Sequence, residues 1–105
     1  MPGVDLNFLM RQAKEITSKV EKRKTELANE TVEGKAGDGL VIAIANGVQE
    51  LKGLKIDKKA IDPNDTAMLE DLIIAAVNAA LTLSREHMQK ELGKISGGIK
   101  LPGLM

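Results

Sequence analysis

Met68–Leu83, MLEDLIIAAVNAALTL, decides how this chain folds, because only Glu70, Asp71, Asn78 and Thr82 are polar in it. At about 100° of rotation per residue, those four fall within one wedge of roughly 120° on a helix. Leu69, Leu72, Ile73, Ala76, Val77, Ala80, Leu81 and Leu83 cover the rest. A helix lying on one sheet needs an apolar stripe only somewhat wider than about 100°. Each surplus large side chain left in water would forfeit about 1.5–3 kcal/mol. The pattern therefore calls for two covers, a sheet of the same chain and a second copy of it. The expected dimer contact comprises Leu69, Leu72, Ile73, Ala76, Val77 and Ala80.

Downstream the character of this helix changes. Arg85, Glu86, His87, Gln89, Lys90 and Glu91 leave only Met88 and Leu92 as a thin apolar line, so the base suits burial and the far end suits water. With Asp65 or Thr66 as N-cap and Glu70 and Asp71 near its positive end, the helix is expected from Thr66 to about Leu92. That is roughly 40 Å at 1.5 Å per residue, against a radius of gyration of about 13 Å for a compact domain of this size. It should project. Residues 96–105 carry Gly and Pro with little to fold around and are expected to be a mobile tail beyond a single 1–95 domain.

Upstream, Ile61–Asp65 reads as a turn, and before it the helical period is absent as far back as Asn29. Glu30–Lys35 and Leu40–Ala45 read as strands joined at Gly37-Asp38-Gly39. Asn46-Gly47 predicts a two-residue type I′ hairpin, with positive φ at both positions. Val48–Asp57 follows as a third strand, with Leu54 and Ile56 on one face and Gly53 marking a bulge or a close backbone approach. Ahead of the strands, Asp5 can cap a helix over about residues 5–28, with Leu6, Leu9, Ala13, Ile16, Val20 and Leu27 at helical spacing and Arg23 interrupting. The class is α+β: a helix, a three-stranded antiparallel meander and a long helix.

Composition narrows the chemistry. The 105 residues make one domain with a modest core, which oligomerisation would help. Lys plus Arg and Asp plus Glu are 15 each. Residues 1–28 and 85–105 each carry a net charge of +2, and residues 29–84 carry −4. Cysteine is absent, which excludes disulfides and thiolate chemistry and suits a cytoplasmic protein. No signal peptide or spanning helix is expected. Phe8, the one aromatic, excludes a stacking platform for single-stranded bases.

Enzymatic chemistry finds no foothold. His87 is the sole histidine and is expected exposed, without a nucleophile or a buried carboxylate pair. Glu70 and Asp71 are sequential, so they point about 100° apart and cannot share a proton. Gly37-Asp38-Gly39 lacks the Lys-Ser/Thr ending of a phosphate loop. Neither a metal site, a cofactor nor a small-molecule substrate is expected. What remains is electrostatic: Arg11, Lys14, Lys19, Lys22, Arg23 and Lys24 on the first helix, and Arg85, Lys90 and Lys94 on the second. Doubled by a two-fold axis, these make candidate arms for duplex phosphates.

The run Met68–Ala80, MLEDLIIAAVNAA, strongly resembles the hallmark segment of the YbaB/EbfC family of bacterial nucleoid-associated proteins. Leu9-Met10-Arg11-Gln12-Ala13, Gly39-Leu40-Val41, Ile56-Asp57 and Leu101-Pro102-Gly103 match in the same order. The resemblance implies a tweezer-shaped homodimer that binds double-stranded DNA with projecting helical arms, organises the nucleoid and regulates expression. Two features depart from the family pattern: Ala79 stands where members commonly have an acidic residue after the asparagine, and the first helix is rich in Lys and Glu where many relatives use Met and Gln. The rival reading is a helical-arm protein interaction module that binds no DNA, which the neutral overall charge suits.

Overall fold

The computed structural model describes residues 5–96; the tail expected at 96–105 lies outside them apart from Ser96. Helix α1 (Leu6–Leu27) starts where its cap predicts, because an Asp5 carboxylate oxygen accepts from the Phe8 amide at 3.2 Å. That bond satisfies one of the amides a helix start leaves open. Strands β1 (Thr31–Ala36), β2 (Val41–Asn46) and β3 (Leu51–Ile56) form an antiparallel sheet in the order β1-β2-β3. A 3₁₀ turn at Lys58–Ala60 leads to α2 (Thr66–Ser96), capped by Asp65, which accepts from the Met68 amide at 3.1 Å. The α+β order of elements is as expected. Helix α2 runs four residues beyond Leu92, continuing through Gly93.

Alternation along the strands explains the core. Val41, Ala43 and Ala45 of β2 are fully buried in one cluster with Ala76 and Ala80 of α2. Ile42 and Ile44 turn to the other face and stay half-exposed. Helix α2 lies across β1 and β2. Small residues let it approach closely: a Cβ on Gly34 would collide with the Ala76 carbonyl and the Ala80 amide. Leu51 and Leu54, on the helix-facing side of β3, remain 47% and 40% exposed. Among the described residues, the helix thus covers two strands and leaves Leu51 and Leu54 of the third open.

One turn differs from its sequence signature. Positive φ occurs at Gly37, Asp38 and Gly39, as the first turn requires, but in the second it falls on Gln49 rather than on Asn46-Gly47. The reason is that Asn46 is buried and works through its side chain. Its Oδ1 accepts from the amides of Val48 at 3.1 Å and Glu50 at 3.0 Å, and its Nδ2 donates to the Ala28 carbonyl at 3.1 Å. An Asx-type bond replaces the type I′ geometry, and β3 starts at Leu51 instead of Val48. Gly47 serves packing, since a Cβ there would stand 2.7 Å from the Leu27 carbonyl oxygen. The irregularity expected near Gly53 is a register shift between Ile44, its partner, and Ala45.

The chain is elongated, 75 × 24 × 16 Å with a radius of gyration of 20.1 Å. The excess over about 13 Å comes from the two helices. Leu6, Phe8, Leu9 and Met10 at the start of α1 are all exposed, far from the core.

Candidate nucleic-acid interface

Beyond the sheet, the end of α1 and the far part of α2 are joined by a charged clamp. Arg23 donates from Nη1 to Glu30 Oε2 at 2.6 Å and from Nη2 to Glu30 Oε1 at 3.2 Å, a bidentate fork, and Nη2 also reaches Glu91 Oε1 on α2 at 2.7 Å. His87 Nε2 lies 2.9 Å from Glu30 Oε1, and Lys94 Nζ lies 2.6 Å from Glu91 Oε2. Bidentate charge-assisted bonds are short and directional, so this cluster holds α1, the entry to β1 and α2 in one relative orientation. The Arg23 fork lowers the Glu30 pKa, with His87 helping. Lys94 first and Arg23 second hold the Glu91 carboxyl at about 2. The same partners, Glu30 before Glu91, raise Arg23 above the usual guanidinium value.

Two sequence expectations change here. Arg23, placed among the phosphate contacts, has its guanidinium engaged within the chain and its side chain only 19% exposed. His87, expected exposed, is half-buried against Glu30. Periodicity foresees neither, because Glu30 and Glu91 are distant in sequence and become neighbours only through the fold.

A second latch joins the hairpin to α2. Buried Ser84 donates from Oγ to the Asn46 carbonyl at 2.6 Å and accepts from the Gln49 amide at 3.0 Å. Gln49 Nε2 adds a contact to Ser84 Oγ at 3.2 Å. These bonds anchor α2 at the point where it leaves the sheet. The sequence signal was a lone serine breaking the apolar side of the helix.

Arg11, Lys14, Lys19, Lys22 and Lys24 on α1, and Arg85, Lys90 and Lys94 on α2, are exposed. Lys19 lies 3.5 Å from Glu15 one turn away, and Lys94 bonds Glu91. Arg11, Lys14, Lys22, Lys24, Arg85 and Lys90 make no ion pair among the described residues. Those side chains are available to a polyanion.

The residues assigned to a dimer contact divide. Ala76 and Ala80 are fully buried on the sheet of their own chain, so they offer no surface to a second copy. Leu69, Leu72, Ile73 and Val77 pack against the same core with part of their surface exposed. Ile74 is 59% exposed beside them. Ile73, Ile74, Val77 and Leu81 occupy an arc of about 100° on α2, on the flank toward the hairpin side, where Ser84 and Met88 meet Gln49. Leu51 and Leu54 stand exposed on the same side of the sheet, in register with Ala45 and Ala43, and with the α2 arc they make up the apolar margin of that side.

The sequence profile of the YbaB/EbfC DNA-binding family matches residues 1–99, and the chain belongs to that family. A nucleoid-associated protein of Myxococcus xanthus (strain DK1622) is 67% identical over 104 residues, 99% of each chain. One from Anaeromyxobacter dehalogenans (strain 2CP-C) is 48% identical, over 96% of this chain and 98% of the other. The crystal structure of uncharacterized protein HP0035 from Helicobacter pylori shares the fold, with a TM-score of 0.77 at 18% identity over 88% of this chain and 97% of that one.

Proposed function

We propose that this member of the YbaB/EbfC family is a nucleoid-associated protein that binds duplex DNA as a homodimer, in the cytoplasm on the nucleoid, and contributes to chromosome organisation and gene regulation. The family match over residues 1–99 carries this reading. The geometry supports how it works. The apolar margin of Leu51, Leu54, Ile73, Ile74, Val77 and Leu81 supplies the surface for a second copy, and the two-fold axis sets out two pairs of helical arms. By length and composition alone Thr66–Ile95 would also pass as a membrane span. Ala76, Ala80 and Ser84 are buried against the sheet and hairpin of their own chain, which supports reading α2 as a core helix.

On the arms, Arg11, Lys14, Lys19, Lys22, Lys24, Arg85, Lys90 and Lys94 contact phosphates, while Arg23 holds the arms in place. Neither helix presents a cluster of Arg, Asn and Gln suited to bidentate reading of base edges, so recognition is mainly of backbone. The arm variant Arg11→Glu, Lys22→Glu, Lys90→Glu is expected to lose a duplex mobility shift while sedimenting as a dimer. An unchanged shift would remove the arms from the interface. The rival protein clamp draws on the exposed Leu6, Phe8 and Leu9 of α1; under it, wild-type protein gives no duplex signal at any salt concentration.

A further inference from the structure

Outside the arms, the densest cation cluster lies along β3 and the turn after it. Residues 51–60, LKGLKIDKKA, hold Lys52, Lys55, Lys58 and Lys59 against the single acid Asp57. Asp57 is engaged locally, its Oδ1 accepting from the Lys59 amide at 2.9 Å. All four lysines are exposed. Lys55, Lys58 and Lys59 make no ion pair among the described residues, and Lys52 has only a loose approach to Glu50 at 3.9 Å.

The strand register extends the cluster across the sheet. Ile42 is the Cα partner of both Lys35 on β1 and Lys55 on β3, so these two lysines share a face two strand spacings apart, roughly 10 Å. That face is opposite the one on which α2 packs, since Val41 and Ala43, the neighbours of Ile42, are buried beneath the helix. It is also opposite Leu54 on the apolar margin, so a second copy seated there leaves Lys35 and Lys55 open. Lysines on edge strands discourage unwanted strand pairing, which accounts for Lys35, Lys52 and Lys55. It does not account for Lys58 and Lys59, which lie beyond the strand.

We propose that the sheet face bearing Lys35 and Lys55 and the adjoining turn with Lys58 and Lys59, with Lys52 nearby at the register shift of β3, form a second contact for the phosphate backbone of duplex DNA, separate from the helical arms. The inference rests on the DNA-binding reading above. Each phosphate neutralised on a duplex steepens the fall of log affinity with log salt by about 0.9. Removing four lysines from each protomer should therefore lower the slope by up to about 4 for every protomer whose sheet face meets the duplex.

The test compares wild-type protein with Lys52→Gln/Lys55→Gln/Lys58→Gln/Lys59→Gln and with Lys58→Gln/Lys59→Gln, which leaves the strand untouched. Duplex affinity is titrated from about 50 to 200 mM salt. Amine acylation of the wild-type protein, mapped by mass spectrometry with and without duplex, supplies a readout that needs no variant. The expected result is a reduced slope in both variants, larger in the first, with Lys55, Lys58 and Lys59 protected by duplex. A wild-type slope in both variants, with these lysines acylated equally with and without DNA while arm lysines are protected, would overturn the second contact and leave the arms standing. A wild-type protein that binds no duplex would overturn both.

Discussion

Gly34 of β1 seats Ala80 of α2 directly on the sheet: the strand has no Cβ where the helix backbone passes. The clash partners are the Ala76 carbonyl and the Ala80 amide, which cannot rotate away as a side chain would. Gly34→Val must lift α2 or bend β1, and overpacking of this kind costs typically about 1–3 kcal/mol or more. In a domain of this size each kcal/mol lowers the melting temperature by about 4–8 °C. Thermal unfolding checks this, and a wild-type midpoint would mean the helix does not sit so close.

Ser84→Ala removes the acceptor of the Gln49 amide and the donor to the Asn46 carbonyl in one step. Leaving a buried polar group unpaired costs about 1–3 kcal/mol. Chemical denaturation should show a loss in that range, and hydrogen exchange should speed up at Gln49 before it does in β1.

The charged clamp gives a pH dependence with a definite sign. Lys94 and Arg23 depress the Glu91 carboxyl from 4.5 to about 2, and Arg23 depresses Glu30 in the same direction. A depressed carboxylate stabilises the folded state fully above its unfolded pKa and ceases to do so as pH falls through the folded one. The melting temperature should therefore decline from about pH 4.5 downward, and Glu91→Gln should flatten the decline while lowering the midpoint at neutral pH. Parallel pH profiles for wild type and variant would show the clamp to be energetically idle.

Leu54→Glu and Ile74→Glu each place a charge on the apolar margin without touching Ala76 or Ala80. Sedimentation equilibrium should show the wild type as a dimer at micromolar concentration and both variants shifted to monomer, with duplex affinity falling in parallel. A well-folded wild-type monomer at that concentration would remove the two-fold arrangement on which the paired arms depend.

Element order was readable because periodicity is a local property. The cap at Asp5, the glycines at 37 and 39 and the apolar girth of Met68–Leu83 each act within a few residues. The clamp was not readable, since Arg23, Glu30 and Glu91 interrupt or flank helical patterns and look like surface charges until α1 and α2 are brought together. Asn46 misled for a related reason: Asn-Gly favours a type I′ turn in isolation, but a buried side chain with three protein partners outweighs that preference. The arc of apolar residues on α2 was visible; that the sheet takes its alanines whole and leaves its larger residues partly exposed was not. The β3 lysines were masked by averaging, because residues 29–84 sum to −4 while residues 51–60 alone sum to +3.

The most direct measurement is a titration of wild-type protein on duplex DNA, of random and of fixed sequence, at about 50 and 200 mM salt. Four or more phosphate contacts from the arms predict a fall in affinity of roughly 100-fold or more over that interval, nearly equal for the two sequences. Binding that is indifferent to salt, or no binding at the lower concentration, would contradict the account.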